Sequence, residues 1–382
     1  MRIAIVHDSL MCRGGAEQVT LSFHRAFPKA PIYTLCYQPE LTFPEFKQCD
    51  IHTSQLQRFA KTDAIMKRLY FPFGIIAMHQ LDVTQYDIVL ISSTHCGKYI
   101  KVSKKAIVIN YSHAAFRLVW EPESYAQYVN SRSIKRKVFD LVIAKLRSID
   151  FKAAQRTDYF ICNTERMANQ VRGYYKVKKS IEVIYPPVNT ANFYVDNGPK
   201  RYFLVVSRLE YYKRIDLVVE AFNQLGYSLV IIGKGVQADE IKAKANNNII
   251  FKSGLSKEEL AEIYAGCRAF IFPQYEDYGI TPLEANAAGR PVIAYGQGGV
   301  LTTQIPVSDN PAEATALFFE QQTVEDLVNA VIKFEQIEHR FDPNFIRNHA
   351  EAFDEDVFIN KIRQFVKEKY QQDRKQQTEI IR

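Results

Sequence analysis

Two glutamates lie eight positions apart in the stretch EDYGITPLEANAAGRPVIA, residues 276–294. Glu276 follows the apolar run 269–273, which is typical of a buried strand, so it stands where a strand ends and a loop begins. In open α/β sheets ligands bind at that edge. Glu284 follows a Thr-Pro pair at the spacing of a capping box, so the pattern leaves two interpretations of it, a helix cap or a ligand-binding carboxylate.

Two cations follow the first apolar run of the second half of the chain. In SRLEYYKR, Arg208 and Lys213 come directly after YFLVVS (202–207), which is typical of a strand. Such a pair can bind a diphosphate, with the arginine acting as a planar fork and the lysine as a point charge. A solvated loop with ordinary surface charges is the alternative.

Strand ends in the first half carry two further candidates. Gly14 and Gly15 stand where a helix should start after the first strand, and glycines there let backbone N–H groups approach an anion. A plain strand-to-helix turn would look the same. His113, in INYSHAAFRLVW, also follows a buried strand, where a histidine is either structural or catalytic.

Length and composition indicate a globular protein of two domains. The chain has 382 residues, 47% of them hydrophobic and 24% charged, and about two domains of ordinary size would fit. None of the six cysteines forms a Cys-x-x-Cys pair, so we expect reduced thiols in a cytosolic protein. The N-terminus has too few apolar positions for a secretory signal, and no run reaches the roughly 18 apolar residues of a spanning helix.

Apolar runs alternate with helical patterns in both halves, which predicts a doubly wound parallel sheet in each. The turn-rich stretch PPVNTANFYVDNGPK separates the halves. We therefore predict α/β domains at residues 1–190 and 200–350, followed by an amphipathic helix within 351–382.

The basic residues are concentrated in the first half. Residues 1–195 hold 27 Lys and Arg against 15 Asp and Glu, whereas the remainder holds 22 against 27. A basic half suits an anionic partner such as a phosphate, a nucleic acid or a membrane surface. Segments 55–74 and 131–152 mix basic with large apolar residues, as stretches that lie on an anionic bilayer do; a core helix with a solvated basic face is the other interpretation.

The motifs around the two cations and the two glutamates, SRLEYYKRID and PQYEDYGITPLEANAAGRPVIAYGQGG, resemble those of the retaining glycosyltransferases of family 4. The likeness covers most of the chain and is most specific between 202 and 300. It implies the GT-B fold, an α/β architecture of two Rossmann-like doubly wound domains facing a central cleft. It also implies that 1–190 is the acceptor-side domain, that 200–350 binds the nucleotide sugar, and that the helix in 351–382 crosses back to the first domain.

The resemblance assigns roles to matching positions. Glu284 is implied to hydrogen-bond the nucleotide ribose, Glu276 and His113 to contact the donor sugar, and the Arg-x4-Lys pair to neutralise the diphosphate. Backbone N–H groups are implied to line the phosphates and sugar. The residues implied to bind the nucleotide sugar are Gly14, Gly15, Arg208, Lys213, Glu276, Gly279, Ile280 and Glu284. Those implied to be catalytic are His113, Arg208, Lys213 and Glu276.

Subfamily motifs narrow the expected donor. EDYGITPLEA, YSHAAFRLVW and IYPPVN resemble the subset that contains GDP-mannose-dependent mannosyltransferases of bacterial surface polysaccharides. The likeness implies GDP-mannose as co-substrate, a glycan or lipid-linked acceptor, no metal, no nucleic-acid partner, and a cytoplasmic location with peripheral contact to the inner face of the plasma membrane. Residues 114–116, Ala-Ala-Phe, differ from the Thr-Pro pair and bulky residue of that subset, which leaves the acceptor and the transferred sugar open.

Two other functions stay open. A UDP-sugar donor would need the same fold and the same cations. A non-catalytic protein that binds anionic surfaces would fit the basic half, although the presumed active residues are intact and no nucleic-acid recognition motif occurs. A dinucleotide oxidoreductase is disfavoured because no Gly-x-Gly-x-x-Gly follows the first strand of either half.

Overall fold

The computed structural model describes residues 1–60, 62, 65, 66, 69, 73–124 and 134–381. They form two compact units: unit 1 comprises Met1–Pro187 with Phe358–Arg382, and unit 2 comprises Val188–Val357. None of the helices in the described part of the chain is both long enough and apolar enough to cross a membrane.

Unit 1 is built on a parallel sheet. Its strands are β1 (Ile3–His7), β2 (Ile32–Thr34), β3 (Ile51–Thr53), β4 (Ile88–Ser93), β5 (Ile107–Ser112), β6 (Tyr159–Cys162) and β7 (Glu182–Val183). They lie in the order β3-β2-β1-β4-β5-β6-β7. Every residue of β1, β4 and β5 is buried, as expected of parallel strands that helices cover on both faces. The helices are α1 (Gly15–Ala26), α2 (Ile75–Gln80), α3 (Arg117–Trp120), α4 (Ile134–Ala154) and α5 (Glu165–Tyr175).

Unit 2 repeats this architecture. Its strands are β8 (Tyr202–Val206), β9 (Leu229–Ile232), β10 (Ile249–Lys252), β11 (Cys267–Phe272), β12 (Val292–Tyr295) and β13 (Ala316–Phe319). They are parallel and lie in the order β10-β9-β8-β11-β12-β13. The helices are α6 (Ile215–Leu225), α7 (Ala238–Lys244), α8 (Lys257–Gly266), α9 (Ile280–Ala287), α10 (Val300–Thr303), α11 (Val324–Ile337) and α12 (Pro343–Glu351).

The last helix, α13 (Glu355–Ile381), contributes to the core of unit 1. One face carries apolar side chains at helical spacing. The Phe358 ring stacks on Phe23 at 5.9 Å and meets the edge of Tyr111 at 6.0 Å. The buried residues on this face are Phe358, Ile359, Ile362, Phe365 and Val366.

Each sheet reverses its strand order next to its first strand. The reversal lies between β1 and β4 in unit 1 and between β8 and β11 in unit 2. Ligands of open α/β sheets bind outside the carboxyl ends of the strands at such a switch point. His7 ends β1 and Ser93 ends β4, whereas Arg208 and Glu276 follow β8 and β11. Chemistry-bearing residues therefore lie at both switch points.

Candidate active site

Three charged side chains meet at the switch point of unit 2. The Lys213 ammonium contacts Oε1 of Glu276, and Lys213 is only 8% exposed. Arg208 is exposed and donates from Nη2 to the Tyr212 hydroxyl at 2.6 Å. The Lys213 ammonium lies 5.0 Å from the centre of the same tyrosine ring. Both predicted cations and one of the two predicted carboxylates are thus brought together.

The position of Lys213 alters its acidity. Burial, reinforced by the nearby charge of Arg208, lowers the pKa of Lys213 to about 8. Contact with the Glu276 carboxylate opposes this change, because a neighbouring negative charge favours the ammonium. A partly desolvated cation interacts more strongly with an anion than a solvated one. The site is therefore suited to a diphosphate.

A tight turn places Lys213. Tyr211–Lys213 form a single 3₁₀ turn, in which the Lys213 amide donates to the carbonyl of Glu210 at 2.8 Å. Arg214 follows with a φ of 54°, in the left-handed region that residues other than glycine seldom occupy. Such a residue costs on the order of 1 kcal/mol and persists only where the surroundings hold it.

Glycines in two neighbouring loops hold the charged loops in place. A Cβ on Gly235, after β9, would lie 2.2 Å from the carbonyl oxygen of Leu209. A Cβ on Gly299, after β12, would lie 2.4 Å from that of Asp277, and the Gly299 amide donates to the carbonyl of Glu276 at 2.8 Å. Sequence reasoning assigned these glycines no role, although GKG and GQGG are visible signals of close backbone approach.

Glu284 does not cap a helix, so the capping interpretation is wrong. Helix α9 begins at Ile280, and its N-cap is Gly279, which has a φ of 84° and no side chain to offer. The left-handed turn at Gly279 starts the helix earlier than the Thr-Pro pair suggested, and Glu284 falls in the second turn. Its Oε2 accepts a hydrogen bond of 2.7 Å from the Tyr264 hydroxyl. Burial raises the pKa of Glu284, and the Tyr264 hydrogen bond opposes that rise.

Unit 1 brings the glycine pair and the histidine to its own switch point. Gly14 is the N-cap of α1 and Gly15 its first residue. A Cβ on Gly14 would lie 2.6 Å from Oε2 of Glu17, so a glycine makes room for this carboxylate. Nε2 of His113 lies 2.8 Å from the Ser92 hydroxyl, at the end of β4. Burial and the nearby charge of His7 lower the pKa of His113 to about 3.

A buried carboxylate fixes the loop after β4. Asp8 accepts hydrogen bonds from the Ser93 hydroxyl at 2.9 Å and from the amides of residues 94–97 at 2.7–2.8 Å. Burial opposes ionisation, but these donors and two neighbouring histidines lower the pKa of Asp8 to about 2. Sequence reasoning overlooked this aspartate, because nothing in HDS distinguishes an anchor from a surface turn.

The described part of the chain holds no cluster of three or more His, Cys, Asp or Glu side chains suited to a metal ion. The sequence contains one Asp-x-Asp pair, Asp354 and Asp356. It lies at the start of α13, where Asp354 accepts hydrogen bonds from the amide and hydroxyl of Thr190 and from the Asp356 amide. The Asp354 carboxylate is therefore held by the chain's own groups.

Two family models account for most of the sequence. The model described as "Glycosyltransferase Family 4" matches residues 13–192, and the one described as "Glycosyl transferases group 1" matches residues 191–356. The chain belongs to glycosyltransferase family 4. It is a retaining glycosyltransferase that depends on a nucleotide sugar.

Known proteins resemble this family 4 glycosyltransferase at low identity. "Alpha-1,3/1,6-mannosyltransferase ALG2" of Dictyostelium discoideum is 23% identical over 87% of this chain and 89% of its own length. "O-antigen chain mannosyltransferase C" of Escherichia coli is 27% identical over 42% of this chain and 44% of its own length. HepE of Anabaena, solved in complex with UDP, superposes with a TM-score of 0.70 and 14% identity over 96% of this chain and 100% of its own. The structural likeness confirms the predicted GT-B fold.

Proposed function

We propose that this glycosyltransferase transfers mannose from GDP-mannose to a lipid-linked or oligosaccharide acceptor during assembly of a surface glycan or polysaccharide. The proposal that the donor binds at the switch point of unit 2 rests on one observation, the contact of Lys213 with Glu276 beside Arg208. The sugar is suggested by the mannosyltransferases among the relatives.

The charges fit the demands of the reaction. The bond between the sugar's anomeric carbon and the diphosphate breaks, the acceptor oxygen bonds to that carbon from the same face, and the acceptor proton passes to a diphosphate oxygen. Negative charge grows on the diphosphate while the sugar becomes oxocarbenium-like. Arg208 and Lys213 stabilise that negative charge, which can contribute several kcal/mol when the cations are preorganised.

The carboxylates hold the rest of the donor. Glu284 keeps Oε1 for the ribose hydroxyls while Tyr264 holds Oε2. Glu276 accepts hydrogen bonds from the sugar hydroxyls. The backbone N–H groups of Gly279 and Ile280, at the start of α9, face the phosphates and the sugar. In unit 1, His113 contacts the sugar, and the space beside Gly14 at the start of α1 is taken by the Glu17 carboxylate rather than left for an anion.

The proposal of a lipid-linked acceptor is supported by an exposed face of helix α4. Val138 is 57% exposed and Leu141 is 73% exposed, although both are apolar. The residues that recur along this stripe at helical spacing are Val138, Leu141, Val142, Lys145, Ile149 and Lys152, all exposed. Of the two acidic residues in the helix, Asp140 pairs with Arg136 and Asp150 is buried.

The occupant proposed for this face is an anionic bilayer. Apolar side chains can enter the boundary between headgroups and acyl chains, and each lysine near the surface adds about 1 kcal/mol. Docking there would bring the enzyme to a lipid-linked acceptor. In the two segments predicted to lie on a membrane, residues 61, 63, 64, 67, 68, 70–72 and 131–133 lie outside the described residues.

Vesicle flotation tests the acceptor side. We expect retention on phosphatidylglycerol vesicles, loss of retention at high salt, and about tenfold weaker retention for Leu141→Glu. Lys333→Glu, on the exposed face of α11, is the matched control. Equal retention of both variants, or no retention of the wild type, would contradict membrane docking by this face.

A donor screen tests the reaction. The purified chain is incubated separately with GDP-mannose, UDP-glucose and UDP-galactose, and with GDP, which carries no sugar. Release of the sugar, or its transfer to a polyprenyl-diphosphate glycan, is measured with and without EDTA. We expect turnover of GDP-mannose that EDTA leaves unchanged. A UDP-sugar donor is the second candidate, favoured by the UDP bound to HepE; turnover of UDP-glucose alone would replace the proposed donor and keep the site.

A further inference from the structure

Two histidines lie side by side at the switch point of unit 1, and their environments differ. His7 is 2% exposed and its partner Glu17 is 7% exposed, so this pair is sealed from water. His113 is only partly buried. The Ser92 hydroxyl connects them, at 3.3 Å from Nδ1 of His7 and 2.8 Å from Nε2 of His113.

Each nitrogen of His7 faces an oxygen that can only accept, and Nδ1 also lies 3.0 Å from the Thr20 hydroxyl. Nδ1 lies 2.9 Å from the backbone carbonyl oxygen of Ser92, and Nε2 lies 3.7 Å from Oε1 of Glu17. A neutral imidazole would turn an unprotonated nitrogen toward one of these oxygens, whereas an imidazolium donates to the Ser92 carbonyl and forms an ion pair with the Glu17 carboxylate. Burial disfavours the charge, but the carboxylates of Glu17 and Asp8 outweigh it and raise the pKa of His7. His7 is therefore a cation with Glu17 as its counter-ion.

The Ser92 hydroxyl has one proton to give. The Thr20 hydroxyl lies 2.9 Å from the Ser92 oxygen and 2.9 Å from the Ala16 carbonyl oxygen, so its one proton has two acceptors within reach. The His7 cation lies next to the Ser92 hydroxyl oxygen. A dipole beside a cation is most stable with its negative end toward the charge, so the oxygen of the Ser92 hydroxyl faces His7 and its proton points toward His113. Ser92 therefore donates to the lone pair on Nε2 of His113. The proton of His113 is then on Nδ1.

We infer that Glu17, His7 and Ser92 are positioning residues that hold His113 as a neutral imidazole with its proton on Nδ1, where it donates a hydrogen bond to an oxygen of the bound sugar nucleotide. Among the described residues, no protein group is hydrogen-bonded to Nδ1 of His113, which leaves that nitrogen to a ligand. The contribution to catalysis rests on the proposed function, whereas the tautomer is a property of the free protein.

The charged groups around His113 account for its neutrality. His7 lies on β1, Glu17 on α1, and Asp8 next to β1. Burial and the His7 charge disfavour a second proton on His113, and the two carboxylates only partly offset them. Across the physiological range His113 is a hydrogen-bond donor of fixed direction, and it is not a general acid.

Nitrogen NMR of the free protein tests this inference. Histidine side chains labelled with ¹⁵N are recorded from pH 5.5 to 8, and the signals of His7 and His113 are assigned through His7→Gln and His113→Gln. We expect His113 to show a protonated Nδ1 and an unprotonated Nε2 throughout, and His7 to show both nitrogens protonated. A protonated Nε2 on neutral His113, or titration of His113 within this range, would overturn the inference without touching the assigned family or donor.

Two variants separate positioning from folding. In Glu17→Gln we expect His7 to lose a proton and the neutral His113 to show a mixture of tautomers, because the charge that orients the Ser92 hydroxyl is then gone. In Ser92→Ala we expect a mixture of His113 tautomers and a roughly tenfold lower kcat with little change in KM for the donor. Ser22→Ala, which removes another buried hydroxyl from α1, should change neither. Unchanged His113 signals in both Glu17→Gln and Ser92→Ala would also contradict the inference.

Discussion

The two switch points use charge differently. In unit 2, Arg208 is exposed, Glu276 is partly exposed and Lys213 lies against Glu276, so a ligand can meet the charges directly. In unit 1, the charges of His7 and Glu17 are sealed inside, whereas the neutral His113 is partly exposed. One sheet edge is therefore arranged to bind an anion, whereas the other is arranged to orient a neutral hydrogen-bond donor.

Removal of a cation from unit 2 should have the largest effect. We expect Lys213→Ala and Arg208→Ala each to lower turnover by on the order of 100-fold or more, because the growing charge on the diphosphate loses a partner. Steady-state kinetics with the donor measures this, and thermal unfolding checks the fold. Lys333→Ala, which removes an exposed lysine of α11, is the control. Near wild-type turnover in both variants would contradict the role assigned to the cations.

Displacement of the Glu276 loop should have a smaller effect. A Cβ at Gly299 would lie 2.4 Å from the carbonyl oxygen of Asp277, so the loop has to move. We expect Gly299→Ala to lower kcat/KM roughly 30-fold, since misplacement by about 1 Å can cost up to 100-fold, and to lower the free energy of unfolding by about 1–3 kcal/mol. Gly173→Ala, at a helical position with no atom within 4 Å, is the control and should be mildly stabilising.

The pH dependence of kcat/KM should distinguish the two edges. Lys213, with its pKa lowered to about 8, is a cation below that pH and loses its charge above it. We therefore expect kcat/KM for the donor to be level near pH 7 and to fall about tenfold per unit well above pH 8. Lys213→Arg should move the fall to higher pH. A profile that stays level to pH 10 in the wild type would show that the charge of Lys213 is not required.

Removal of one phenol should have the smallest effect. Tyr264→Phe deletes the hydrogen bond to Oε2 of Glu284 and leaves the carboxylate free to turn. We expect KM for the donor to rise about fivefold, the equivalent of one hydrogen bond, with kcat nearly unchanged. Tyr202→Phe, which removes a hydrogen bond to the carbonyl of Ile263, is the matched control and should leave KM unchanged. A change in kcat alone would contradict a ground-state role for Glu284.

Strong local patterns allowed correct predictions from the sequence. Ser256 and Glu259 stand at capping-box spacing in the sequence, and the structure forms both hydrogen bonds of the box. The sequence pattern predicts strands at 159–162 and 249–252, and β6 and β10 have these bounds. The three-residue strands β2 and β3 were missed, because they are too short to show a period and depend on pairing with β1 and with each other.

Prediction of the site was limited where a residue's role depends on distant contacts. Glu284 was read as a possible cap because spacing cannot reveal the left-handed turn at Gly279. The glycines of the loops after β9 and β12 can be seen in the sequence. The backbone segments that they contact, at Leu209 and Asp277, lie on other loops and cannot be identified from the glycines alone. The pairing of His7 with Glu17 and the link through Ser92 also cross strands, so only the fold brings them together.

Calorimetric titration of the purified chain with GDP-mannose and UDP-glucose, repeated with Glu284→Gln, tests most directly that the carboxyl edge of unit 2 binds the nucleotide-sugar donor. We predict that GDP-mannose binds, that UDP-glucose binds far more weakly, and that Glu284→Gln weakens GDP-mannose binding about tenfold, as expected for loss of a charged hydrogen bond. Equal binding of the two nucleotide sugars would contradict the proposed donor. GDP-mannose binding that Glu284→Gln leaves unchanged would contradict the site itself.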